Sequence, residues 1–229
     1  MNLKDNIVII TGGSRGFGKA LAGAFSAEKA KVIIASHDVK ELEKVAGELH
    51  IDSVVTDVTS PHEVESLARK VFEKHGVIDI WINNAGIQIA PSKIEDVDTD
   101  KLHRLFDVNF FGYFYGCQTA LRYMRKQKHG LIINVNSTAG LEGKADLSAY
   151  VSSKFAIKGL TESIRKETVG TGISVYAIYP GGMQTDIYKE RYPDDIKEYM
   201  QVDDVVGKVI VNMKSDSPEL DLVIKRPKL

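Results

Sequence analysis

The segment AYVSSKFAIKGL, residues 149–160, sets Tyr150 and Lys154 four positions apart within a run of helically spaced apolar residues. On a helix, positions i and i+4 share a face, so the phenol and the ammonium project toward one site. A tyrosine ionises near pH 10, and moving it down by about 3 units takes roughly 4 kcal/mol. One cation about 4 Å away, at an effective dielectric near 20, supplies about that amount. The pair therefore predicts a phenol tuned to give and take protons near neutrality. The same spacing occurs by chance on many exposed helices, so the reading depends on what the rest of the chain builds around it.

A second constellation is TGGSRGFG, residues 11–18, which follows the apolar run IVIIT directly and opens a helical pattern through Ala20, Leu21, Ala24 and Phe25. Glycines between a strand and a helix permit a tight turn and close backbone approach to a phosphate, while the helix N-terminus offers free N–H groups and positive dipole. The spacing of Gly12, Gly16 and Gly18 is G-x-x-x-G-x-G, not the commoner G-x-G-x-x-G dinucleotide fingerprint. The residues that read the adenosine ribose are expected just after the second apolar run, at Ser36, His37 and Asp38. Ser36 brings no carboxylate and Arg15 can reach a 2′-phosphate, which tilts the cofactor toward NADP(H). Asp38 keeps NAD(H) open, because a carboxylate there can accept from a free 2′-hydroxyl.

Such residues need a frame. Seven short runs rich in Val and Ile, beginning near residues 7, 31, 52, 78, 131, 173 and 221, alternate with segments of helical period. Nearly continuous apolar runs suit strands covered on both faces, and helix-length connections suit parallel crossovers. The expected fold is α/β, a doubly wound, seven-stranded, mainly parallel sheet with helices on both faces, in one domain over residues 1–229. A helix across 99–126 carries bulky residues on almost all sides in LFDVNFFGYFYGCQTAL. It is expected to be buried on two faces, the second cover being either its own core or a partner subunit. With 30 basic and 31 acidic residues and a net charge of -1, no global field attracts nucleic acid or anionic lipid. One cysteine, no leader-like segment and no membrane-length apolar run lead to the expectation of a soluble, cytoplasmic protein.

With the glycine loop, NNAG at 83–86 and Y-x-x-x-K at 150–154, the chain resembles the short-chain dehydrogenase/reductase family, in its compact single-domain branch, over nearly its whole length. The resemblance implies a Rossmann-like fold that binds NADP(H) or NAD(H) and oxidises or reduces a small carbonyl or alcohol. It implies that Thr11, Gly12, Ser14, Arg15, Gly16, Phe17 and Gly18 form the cofactor loop, with Ser36 and His37 at the ribose. It places Asp57 and Val58 at the adenine, and Asn83, Asn84, Ala85 and Gly86 beside the cofactor. In PGGMQT, Pro180, Gly181, Met183 and Thr185 stand in the loop that closes on the nicotinamide. Asn109, Ser137, Tyr150 and Lys154 match the catalytic set, Ser137 preceding Tyr150 by 13 residues. Asn136 stands where a second small residue is usual, and His37 where NADP-preferring members often carry arginine. The segment 186–202 is short for the family's substrate loop.

In the implied reduction Tyr150 donates a proton to the substrate oxygen and Ser137 hydrogen-bonds that oxygen. Lys154 lowers the tyrosine pKa and holds the ribose, and Asn109 supports a water that returns protons to Lys154. The substrate wall is expected from the loop after Gly86, from Leu141 to Leu147 and from residues 183–200, with Met183, Ile187, Tyr188 and Tyr192 making it partly apolar. The expected assembly is a homodimer or homotetramer. A different class of function, a dinucleotide-sensing regulatory protein, needs only the binding half of this set. His50, His62, His75, His103 and His129 are scattered, so no metal site is expected. Cys117 and Trp81 read as core, and the closing KRPKL as a solvated tail.

Overall fold

The computed structural model describes residues 1–226; the last three residues of the KRPKL segment lie outside the described residues. Seven strands form one sheet: β1 (Ile7–Thr11), β2 (Lys31–Ser36), β3 (Asp52–Val55), β4 (Ile80–Asn83), β5 (Gly130–Val135), β6 (Ile173–Pro180) and β7 (Asp221–Ile224). Their order is β3-β2-β1-β4-β5-β6-β7, with every pairing parallel. The expected strands are all present. The strand expected from Ile78 runs from Ile80, and the Asp79 carboxylate just before it accepts from the Ile7 amide at 2.8 Å.

Burial of both faces explains the unbroken apolar runs. Along β1, Val8 and Ile10 pack under α1 (Gly16–Ala27), α2 (Val39–Leu49) and α7 (Val202–Lys214). Ile7 and Ile9 face the opposite layer, made by α3 (Pro61–His75), α5 (Gly112–Gln127) and the C-terminal part of α6 (Ser148–Glu167). Strand side chains alternate faces, so a strand covered twice must be apolar at every position. Between the layers lies a buried polar cluster. Asn83 donates to Asn134 at 2.9 Å and accepts from the Trp81 indole at 2.8 Å, while Asn134 donates to Thr161 at 2.9 Å. Cys117 touches both asparagines, and burial pushes its thiol up to about 12, so it is an unreactive member of the core.

The long helix expected over 99–126 is present as three joined pieces. α4 (Thr99–Phe106) runs into a π turn, Asp107–Phe111, which runs into α5. The extra residue in the π turn rotates Asn109 into the interior, where it is fully buried. No helix among the described residues is long and apolar enough to cross a membrane.

Strand order reverses between β1 and β4, whose first crossovers leave in opposite directions. In an open parallel sheet that is where the loops splay apart and a crevice opens at the carboxyl ends of the strands.

Candidate active site

A cavity of about 730 Å³ opens at that edge, and the sequence elements singled out above converge on it. Gly12, Ser14, Arg15, Gly16, Phe17 and Gly18 form one wall; Ser36, His37, Asp57 and Val58 form its far end; Asn84, Ala85 and Gly86 form its floor. Ser137, Tyr150 and Lys154 line the middle, and Pro180, Gly181, Met183 and Thr185 the side toward β6. Thr11 and Asn109 lie behind the wall. The Thr11 hydroxyl donates to Ile82 at 3.3 Å and accepts from the Asn84 amide at 3.0 Å, tying the glycine loop to the end of β4. The Asn109 amide clamps the Ile87 backbone in both directions, at 2.8 and 2.9 Å, and reaches Ser153 at 3.3 Å.

The glycine loop leaves no room for side chains at two of its positions. Gly12 has φ 65°, a Cβ there would come within 2.7 Å of Ala85, and one at Gly18 would overlap the Gly12 carbonyl. The N-cap of α1 is Arg15, whose side chain makes no cap hydrogen bond, so the first amides of the helix have no side-chain acceptor. Arg15 turns instead to Asp38, the N-cap of α2, which also accepts from the Glu41 amide at 3.2 Å. Beneath this ion pair the Ser14 and Ser36 hydroxyls meet at 3.0 Å. Asp57 is raised by burial but held lower on balance by the Thr59 amide and hydroxyl, with Arg104 and His37 adding positive potential.

The Tyr150 and Lys154 side chains share the site that their spacing predicts. Both are buried, at 9% and 3% exposure, and the ammonium lies 5.6 Å from the phenol ring centre. The electrostatics differ from the simple sum. Burial raises Tyr150 to about 12, against a lowering by the Ser137 hydroxyl, and burial alone lowers Lys154 to about 7. Desolvation is therefore the larger effect on the phenol as well as on the ammonium. The expectation of one cation near 4 Å acting on an ordinary phenol took no account of desolvation, which spacing does not reveal.

The segment after β6 closes one side of the cavity without forming an α-helix. It runs through short turns at Asp186–Tyr188 and Ile196–Glu198. Glu190 accepts from Lys101 at 2.9 Å and from the Ala90 amide at 3.3 Å, which ties the segment to the loop after β4. Arg226 bonds Asp195 at 2.8 Å and lies 4.5 Å from the Tyr199 ring, so this part of the supposed solvated tail anchors the segment. Arg104, Gln88, Lys144 and Tyr199 also line the cavity and were not anticipated residue by residue. For Arg104 a signal existed: it lies five residues before Asn109, on the same continuous helix.

The family model for short chain dehydrogenases matches residues 6–196. This chain belongs to the short-chain dehydrogenase family. An uncharacterised oxidoreductase of Staphylococcus saprophyticus is 36% identical over 202 residues, covering 86% of this chain and 82% of the relative. An alcohol dehydrogenase from Thermococcus sibiricus, solved with 5-hydroxy-NADP, superposes with a TM-score of 0.88 at 24% identity over 98% of this chain and 99% of that one. A 3-ketoacyl-(acyl-carrier-protein) reductase from Brucella melitensis, solved with NADH, does so with a TM-score of 0.90 at 24% identity over 97% and 98%. At that identity the two structures carry the fold alone. The family makes the protein an oxidoreductase with a nucleotide-binding sheet.

Because Lys154 ionises lower in the folded chain than its ordinary value of 10.5, the unfolded chain holds the extra proton between about pH 7 and 10.5. Folding stability contributed by this group therefore rises with pH through that window. Lys154→Met removes the buried charge, so without cofactor the variant should melt about 3 °C or more above wild type at pH 6.5, the gap closing toward pH 10. Thermal denaturation at the two pH values checks this; an equal gap at both contradicts it.

Proposed function

We propose that this short-chain dehydrogenase interconverts a carbonyl and a secondary alcohol with a nicotinamide dinucleotide, preferring NADP(H) and accepting NAD(H). The observation that carries the reading is the convergence of Tyr150, Lys154 and Ser137 on the cavity into which the glycine loop opens. The uncapped start of α1, whose first amides have no side-chain acceptor, fits a pyrophosphate. Arg15, with no carboxylate at Ser36, supports the 2′-phosphorylated form. Its pairing with Asp38 leaves the unphosphorylated form usable.

When bound, the dinucleotide supplies the hydride donor or acceptor. The protein supplies the rest. A phenol near 12 keeps its proton at neutral pH, so Tyr150 is poised to donate from its hydroxyl to a substrate oxygen, the direction of carbonyl reduction. Ser137, two residues past the end of β5, offers a hydroxyl to the same oxygen, an interaction that strengthens as charge develops. Lys154 brings the positive charge that favours the phenolate, and in the oxidative direction a second positive charge is needed to complete that shift. Asn109 holds the loop after β4 in place through Ile87. The segment 186–199 shields the site from water. Ile87, Leu147, Ile187, Tyr188 and Tyr192 support an apolar carbonyl of small to medium size as substrate.

Phe111, Phe114 and Phe155 are 42%, 41% and 44% exposed, on α6 and on the helix whose second cover was open above. A second copy of the chain would bury these rings, so a homodimer or homotetramer is proposed. The single cysteine, buried and unpaired, supports a cytoplasmic setting.

A panel of aldehydes, ketones and quinones with NADPH and NADH tests the activity. Tyr150→Phe should retain dinucleotide affinity within about threefold while losing about 1,000-fold or more in turnover, as removal of a proton donor does. Tight binding with no turnover on the whole panel, unchanged in Tyr150→Phe, would replace the enzyme by the dinucleotide sensor. For assembly, sedimentation velocity should give a dimer or tetramer that Phe114→Lys shifts toward monomer; a wild-type monomer at micromolar concentration overturns that part.

A further inference from the structure

Lys154 has an unusual set of neighbours for a buried ammonium. Among the described residues no carboxylate forms an ion pair with it, and its hydrogen bond to protein is a long one, 3.5 Å to the Val135 carbonyl. Its Nζ lies between two aromatic faces, 5.6 Å from the Tyr150 ring centre and 5.5 Å from that of Tyr113. Both distances are within the range of cation–π attraction. Tyr113 is on α5, is 1% exposed, and donates its hydroxyl to the same Val135 carbonyl at 2.7 Å.

That carbonyl would otherwise lack a short partner. The Asn136 amide points across to β6, bonding Ile178 at 2.7 Å. In a trans peptide the preceding carbonyl points the opposite way, toward β4. β4 ends at Asn83, whose partner on β5 is Asn134, so the ladder stops one residue short of Val135. A buried carbonyl left without a donor is unfavourable, and the other donor within reach is the Lys154 ammonium.

We propose that Tyr113 is a positioning residue for Lys154: its hydroxyl takes the short bond to the Val135 carbonyl, so that this oxygen holds the ammonium only through the long one, and its ring holds the ammonium beside Tyr150. The inference rests on the reading of Lys154 and Tyr150 as the proton-transfer pair. The groups facing the pair are few. Tyr150 lies on the same helix as Lys154, Cys117 stands beside Tyr113 on α5, and Tyr188 approaches Tyr150 from the segment after β6. Burial keeps the Tyr113 phenol protonated well beyond its ordinary range, with Tyr150 and Cys117 reinforcing it, so it remains a donor across the working pH. Neither Cys117 nor Tyr188 brings a charge at neutral pH, because burial raises both.

Tyr113→Phe keeps the ring and removes only the hydroxyl. The freed Val135 carbonyl then draws Nζ away from Tyr150 and from the cofactor side of the cavity. The expected results are a dissociation constant for NADPH, by fluorescence titration, raised about three- to tenfold, and a pH–rate profile for alcohol oxidation whose rising limb moves up by at least half a unit. Tyr113→Leu removes the ring as well and should exceed Tyr113→Phe in both respects; if it does not fold, Tyr113→Phe alone decides. An NADPH affinity within twofold of wild type together with an unmoved limb, even with a lowered Tm, makes Tyr113 ordinary core and overturns the proposal. A Tyr150→Phe protein that turns over as fast as wild type would fail the underlying reading instead, and the two failures are read from different variants.

Discussion

A lysine ammonium held out of water beside a buried phenol, with no carboxylate among the described residues to neutralise it, is the constraint on which the rest of the structure turns. Burial makes both groups unwilling to ionise: it drives Lys154 down to about 7 and Tyr150 up to about 12. Each therefore responds strongly to whatever charge and hydrogen-bonding partners are added to the cavity, because interactions in a low-dielectric site are screened least. A surface pair at the same spacing would be held near ordinary values by solvent.

Keeping that pair dry and in register requires several distant parts of the chain. The end of β5 supplies Val135 and, two residues on, Ser137; α5 supplies the Tyr113 ring; α6 carries Tyr150 and Lys154 one turn apart. The π turn before α5 rotates Asn109 inward, where it joins Ile87 to Ser153, and Ser153 in turn donates to the Tyr150 carbonyl at 2.7 Å. The loop after β4 and the first turn of α6 are thereby fixed to one another through one amide. At the other end of the cavity the pairs Ser14–Ser36 and Arg15–Asp38 tie the glycine loop to the β2–α2 connection.

What could be read from the chain, and what could not, follows from the range of the interactions. Strands buried on both faces must be apolar at every position, so IVIIT and ISVYAIYP announce themselves. The glycine loop and the Tyr150–Lys154 spacing are local patterns, and local patterns survive in a one-dimensional string. Contacts between residues far apart in sequence do not. The Arg15–Asp38 pair spans 23 residues, the Glu190–Lys101 pair 89, and Arg226 reaches back 31 to Asp195. The first complicates a cofactor preference read from Arg15 alone; the last turned an apparent tail residue into an anchor. The π turn was hidden because one added residue shifts a helical pattern by less than the irregularity already present in DVNFFGYF. Desolvation was hidden most completely, since the burial that moves Tyr150 upward belongs to the whole packed site.

The most direct measurement is the titration of Lys154 itself, followed through its side-chain carbon and nitrogen resonances in isotopically labelled protein without cofactor, with Lys154→Met identifying the signal. A midpoint near 7 is the result this account predicts. A midpoint at 10 or above would mean an ammonium solvated or paired by a carboxylate, and the dry pocket that organises the site would not exist.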